Sequence, residues 1–222
     1  MKFKEYNEMK ITLEQATEAP DGMLALALQI TQKRDLDNLG LFSKRLAKYL
    51  LDADHTSPFE HVVYSFRIEG VSRSFLAQIT RHRMGSFTAA SQHYQEYGDY
   101  PCIIKDKDDE LTQKALLQSY LNYHKLIKDG APVWEARQVL PNAASVNILW
   151  TVNARALVNF LQQRLCYRNV MEMQIFADKI LNLVSAHFPE LWNCVGPQCF
   201  MDKCKQGPMK CSVGPWVRWG DK

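Results

Sequence analysis

The stretch 147–187 constrains the fold more than any other part of the chain. Its Leu, Val, Phe and Ile residues recur at three- and four-residue steps, the spacing of an apolar helix face. The pattern predicts two long helices, over 147–168 and 170–187, with most of those side chains in a core. A long amphipathic helix is expected over 111–128, and a short one over 133–140 that Pro141 ends. Helix-compatible runs also cover 23–32, about 40–52 and 72–83, the last with Phe75, Leu76 and Ile79 turned inward. Leu36 and Leu39 carry the periodicity ahead of the second run. Pro58 suits the first turn of a helical element with Ser57 as its cap. Strand pattern is scarcer. Residues 10–16 alternate polar and apolar, and 62–69 are rich in β-branched and aromatic types, so both read as strands. Ala19-Pro20-Asp21-Gly22 reads as a turn and 105–110 as a solvated loop.

With 222 residues the chain can bury a real core. No internal repeat or long linker interrupts it, so a single domain over 1–222 is expected, with an irregular Cys-rich tail from about 192. Lys and Arg number 27 against 24 Asp and Glu, a net charge of +3. That excess is too weak for a dedicated nucleic-acid binder. No run of about 18 apolar residues points to a membrane span, and the first residues lack the apolar core of a signal peptide. The expectation is a cytoplasmic protein with reduced thiols and no nucleic-acid or membrane partner.

Arg81-His82-Arg83 sets three cation-capable residues side by side, and no acidic residue follows until Glu96. Ser86 and Ser91 add neutral donors. Such a cluster asks for an anion, and the arginine fork fits phosphate oxygens. Cations at a helix C-terminus also complement the macrodipole, which accounts for one or two of the three. At this low net charge the cluster reads as a pocket for a phosphorylated small molecule rather than a footprint on nucleic acid. Three further polar groups occupy 55–61, 135–141 and 153–164. In the last, Arg155, Asn159 and Gln162 or Gln163 share one helix face. Taken singly, each of these also reads as part of a solvated face.

Together these residues resemble the flavin-dependent thymidylate synthases. That family's pattern is Arg-His-Arg, seven residues, then Ser, and Arg81, His82, Arg83 and Ser91 match it with that gap. Gln78, the element from His55 to His61, Arg137 in Arg-x-x-Leu-Pro, Asn153-x-Arg155, Asn159 and Arg164 match in order, over about 50–185. The resemblance implies an α+β fold, a central mostly antiparallel sheet flanked by long helices. It implies reductive methylation of dUMP to dTMP, with methylenetetrahydrofolate as one-carbon donor, NADPH as reductant and FAD as cofactor. It also implies a homotetramer with composite sites at its interfaces. By the same resemblance His55, Ser57, Arg81, His82, Arg83, Ala89, Asn153, Arg155 and Asn159 belong to the FAD site. Gln78, Arg81, Ser91, Gln92, His93, Arg137 and Arg164 hold the nucleotide. Arg164 is the catalytic residue, because a fixed guanidinium stabilises negative charge developing on the pyrimidine. Ser91 has no clear activating base near it in sequence, so binding is its role rather than nucleophilic attack.

Two positions depart from the family pattern. The acidic residue often found two before the Ser is Ala89 here, and the usual Arg two after it is His93. Arginine keeps its charge at every physiological pH, whereas a histidine changes charge near neutrality. Weaker nucleotide binding or a shifted substrate preference is therefore expected. One alternative is a flavin-dependent dUMP hydroxymethylase that makes a modified pyrimidine nucleotide. Another is a non-catalytic flavin- or nucleotide-binding protein, opposed by the retention of Arg164 with Asn153, Arg155 and Asn159. Finally, Cys194, Cys199, Cys204 and Cys211 are separated by 4, 4 and 6 residues. Four thiolates can close a structural zinc site, but the set lacks tight C-x2-C pairs. Free thiols in an irregular tail are expected, with these four as the candidate metal set.

Overall fold

The computed structural model of the chain describes residues 2–32, 40–98, 100–201, 204–213 and 216. In chain order the elements are β1 (Phe3–Glu5), β2 (Lys10–Ala16), α1 (Pro20–Gln32), α2 (Lys44–Asp52), β3 (Val63–Ser72), α3 (Arg73–Ile79), β4 (Gly85–Ala89) and β5 (Cys102–Ile104). They continue with α4 (Glu110–Lys128), α5 (Val133–Ala136), β6 (Ser145–Asn153), α6 (Ala154–Arg164), α7 (Met171–His187), α8 (Pro189–Trp192) and α9 (Gln198–Met201). A four-stranded antiparallel sheet runs in the order β2-β3-β6-β4. Strands β1 and β5 pair in parallel, Phe3 opposite Cys102 and Glu5 opposite Ile104. The expected α+β class is the observed one.

The chain divides into two compact units. One holds residues 1–12, 67–83 and 87–150; the other holds 13–66, 84–86 and 151–222. In the first, Tyr97, Tyr123 and Ala136 are buried together. The Tyr97 backbone N–H donates to the Tyr123 hydroxyl at 3.1 Å, and Ser119 Oγ donates to the carbonyl of Val139 at 2.9 Å. The Phe87 and Trp150 rings stack at 5.9 Å and 5°. In the second, the fully buried rings of Phe160 on α6 and Phe176 on α7 meet edge to face at 5.9 Å. Trp192 Nε1 donates to the Tyr64 hydroxyl at 2.9 Å. Each such side chain contributes ~1.5–3 kcal/mol by leaving water.

Sequence periodicity located α1, α4, α7 and β2 well. It misread the start of the long 147–168 run. Val146, Ile148, Trp150 and Val152 are buried while Asn147 and Leu149 are exposed, a period of two that belongs to β6. The helix begins only at Ala154, where Asn153 Oδ1 accepts the Ala156 N–H at 2.9 Å as N-cap. Other differences are local. The 19–22 turn is instead the start of α1, since proline suits a first helical turn. The Pro58 element is a 3-10 turn, Ser57–His61, preceded by Thr56 and without a side-chain cap, so Ser57 is its first residue rather than its cap. The helix over 72–83 stops at Ile79, and the one over 133–140 tightens to a 3-10 turn at Arg137–Val139. Strand β4 was not foreseen, and Leu36 and Leu39 lie outside the described residues. No helix among the described residues is long and apolar enough to cross a membrane.

Candidate functional site

In the first unit the candidate residues follow helix α3. Ser72, the last residue of β3, caps this helix through its Oγ, which accepts the Phe75 N–H at 2.9 Å. Gln78 sits half-buried on the last turn. The Arg81 and His82 N–H groups then donate to Gln78 and Ile79 carbonyls at 3.3 and 3.0 Å. The Arg-His-Arg motif is therefore a bonded turn just past the helix end, with Arg81 and Arg83 exposed and His82 half-buried. Ala89 ends β4, and the backbone beyond it is tightly held. The Ala90 carbonyl accepts from Arg73 Nη1 at 3.2 Å and from the Tyr97 hydroxyl at 3.4 Å, and its N–H donates to Asn147 at 3.1 Å.

That anchored segment presents Ser91, Gln92 and His93. Ser91 Oγ accepts the His93 backbone N–H at 3.1 Å, a local turn that leaves the hydroxyl hydrogen to donate outward. The exposed His93 ring packs edge-on to Tyr94 at 4.3 Å. Gln92 is buried, and its Nε2 has no hydrogen-bond partner among the described residues. An unmet buried amide costs about 1–3 kcal/mol, so this donor suits a ligand carbonyl. Arg137 is half-buried at the start of its 3-10 turn.

In the second unit Asn153, Arg155 and Asn159 line one cavity of about 380 Å³, a usual size for part of a ligand site. Asn153 spends its Oδ1 on the helix cap, and Asn159 spends its Oδ1 on Gln163 Nε2 at 2.7 Å. Their amide nitrogens are the donors left for a ligand. Arg155 pairs with Glu60 at 2.5 Å, both side chains half exposed. Gln162, on the helix face expected with Arg155 and Asn159, lines the same cavity; so do Thr56, Asp54, Glu60 and Met84, which were not singled out from the sequence. Glu60 lay inside a matched motif. Asp54 carries a signal only the backbone shows: among the described residues it is the non-glycine residue at positive φ, 54°. It ends α2, with its N–H on Leu51 and the His55 N–H on Leu50, the bonding pattern of a helix C-terminus that usually takes glycine. His55 and Ser57 are exposed and do not line this cavity; the His55 ring meets Tyr49.

Arg164, at the end of α6, lines a second cavity of about 370 Å³ with Gln162, Gln163, Arg168, Gln198 and Lys205 among others. No Asp or Glu lines it among the described residues. Arg164 Nη1 donates to Asn169 Oδ1 at 3.0 Å, and Asn169 Nδ2 donates to the Gln163 carbonyl at 2.7 Å. Burial pulls the Arg164 guanidinium below its usual value, the mark of a cation taken partly out of water. Of the candidate cysteines, Cys194 stands apart: it is buried, with its thiol on the carbonyls of Lys44 and Glu190. Cys199, Cys204 and Cys211 instead line a third cavity with Cys166.

Comparison with known proteins fits this arrangement. The family model described as thymidylate synthase complementing protein matches residues 12–190. A flavin-dependent thymidylate synthase of Sulfurisphaera tokodaii is 34% identical over 205 residues, 87% of this chain and 80% of its own. One of Geobacter sulfurreducens is 32% identical over 228 residues, 95% and 97% of the two chains. The fold is also that of a UMP/dUMP methylase, PolB of Streptomyces cacaoi, solved with 5-Br dUMP: TM-score 0.75 at 20% identity, covering 87% of this chain and 96% of that one. The chain belongs to the flavin-dependent thymidylate synthase family.

Proposed function

We propose that this chain methylates dUMP to dTMP, taking the one-carbon unit from methylenetetrahydrofolate and the electrons from NADPH through FAD. The Arg164 cavity carries the reading. Arg164, Arg168 and Lys205 line it without a carboxylate among the described residues, which suits a nucleotide phosphate and a pyrimidine ring that gains negative charge. Asn169 fixes the Arg164 fork, so no reorganisation is needed as the charge develops. By the family resemblance Gln78, Ser91, Gln92, His93 and Arg137 also serve nucleotide binding, and the buried Gln92 amide is a donor for a base carbonyl.

A flavin matches the other donors. The amide nitrogens of Asn153 and Asn159 suit the carbonyl-edged ring, and the Arg155, Arg81 and Arg83 guanidinium groups suit its phosphates, with His82, His55, Ser57 and Ala89 alongside. Bound and reduced, FAD supplies the hydride that turns the transferred carbon into a methyl group. The protein residues bind, orient and polarise. We also read the working protein as a homotetramer in the cytoplasm.

Mass analysis of the nucleotide made from dUMP, methylenetetrahydrofolate and NADPH tests the reading. dTMP is expected. Hydroxymethyl-dUMP would replace it with the reading that Ala89 and His93 suggest, and a protein that takes up no FAD would sink both. Asn153 gives a sharper test, since its two side-chain atoms have separate jobs. Asn153→Asp keeps a good cap but puts a carboxylate where the amide donor stood. Its urea midpoint should stay near that of the wild type while flavin absorbance in the purified protein falls. Asn153→Ala should lose flavin and about 1 kcal/mol of stability. Full flavin content in the Asp variant would remove Asn153 from the site.

A further inference from the structure

Four of the chain's 6 cysteines line one cavity of about 710 Å³: Cys166, just past α6, Cys199 in α9, and Cys204 and Cys211 in the irregular segment after it. We propose that these four thiols form a site for a soft divalent metal ion of the zinc class, and that the ion pins the C-terminal segment to the wall of the Arg164 cavity.

The ligand chemistry is consistent. Four cysteine sulfurs are a common closed set for structural zinc, and softness selects zinc over the hard cations. An ion of charge +2 with four thiolates carries a net −2. Arg168 and Lys210 line the same cavity, and no acidic side chain does among the described residues, so the surroundings offset that charge.

Among the described residues no three ligating side chains already converge on one point. The sulfurs share a cavity, so binding must draw the segment inward, and its backbone permits this. Between Cys204 and Cys211 the only regular structure is the 3-10 turn Gly207–Met209, and Arg168 already ties it to the body by donating to the Met209 carbonyl. Metal closure would act at the candidate active site because Cys166, Cys199 and Cys204 also line the Arg164 cavity, where Gln198, Lys205 and Gln206 come from the same segment. That segment lies beyond residues 12–190 matched by the family model.

The test is metal content in the full chain, purified without added metal and then offered zinc or cobalt. About one ion per chain is expected, with the visible absorption of tetrahedral cobalt thiolate on cobalt loading. Cys166→Ser and Cys211→Ser should lose the ion and that absorption, while Cys194→Ser keeps both. Circular dichroism checks folding, and if Cys166→Ser does not fold, Cys211→Ser decides. Wild-type protein that refuses both metals overturns the proposal. So does full retention in Cys211→Ser, or loss in Cys194→Ser with its fold intact. A thiol titration of denatured, unreduced protein that finds four thiols instead of six would overturn it in favour of a disulfide.

Discussion

Arg164→Ala should lower the rate of dTMP formation by about 100- to 1,000-fold, the usual cost of removing one preorganised charge-stabilising donor. The loss should fall mainly on kcat. Arg164 acts on charge that appears on the ring during reaction, whereas Gln78, Ser91 and Arg137 are proposed to hold the nucleotide before it. Flavin content should not change, because Arg164 does not line the cavity of Asn153, Arg155 and Asn159. Arg164→Lys keeps the charge but loses the planar fork that Asn169 holds, so its rate should lie between those of wild type and alanine. Single-turnover measurement of dTMP with saturating dUMP separates these effects. An alanine variant within threefold of wild type, a small change against those about 100-fold or larger, would strip Arg164 of its catalytic role.

The second large effect concerns stability. Trp192→Ala should cost about 3–5 kcal/mol, read as a fall in the urea midpoint. Trp192 is fully buried, and its ring meets Tyr64 edge to face at 5.7 Å. The indole N–H also needs an acceptor in that dry setting. Burial pushes the Tyr64 phenol up to about 12, although the Trp192 hydrogen bond works against this, so Tyr64 remains a neutral hydroxyl at working pH. Tyr64→Phe leaves the indole N–H without that acceptor and should cost about 1–3 kcal/mol. Pairing it with Trp192→Phe in a double-mutant cycle isolates the bond itself. Losses that simply add would show that the 2.9 Å contact carries no coupling energy.

The sequence exposed the parts of this fold that repeat with a period. Helices α4 and α7 read clearly because each buries one long stripe. Strand β6 was just as regular, with Val146, Ile148, Trp150 and Val152 inward. It was lost because Leu149 and Trp150 also suit a helix, and the run passes into α6 without a break. Asn153 was the missed boundary: an N-cap residue standing directly before a helical run. The motif residues were legible as a set, since arginine forks and amides on apolar elements need a reason to be there. What surrounds them was not. The pairing of Arg155 with Glu60 and the meeting of Cys166 with Cys199, Cys204 and Cys211 at one cavity depend on residues far apart in sequence meeting in space, while the left-handed Asp54 depends on how α2 ends.

Two junctions described above have a consequence for how this protein can vary. Ser72 ends β3 and caps α3, and Asn153 ends β6 and caps α6. Each strand hands the chain to its helix with no loop residue between. A single inserted residue there would rotate everything downstream on the helix by about 100°. At the second junction that would swing Arg155 and Asn159 off their cavity together. Length changes have room in the connection 129–132, but both junctions are phase-locked, and change there must proceed by substitution alone.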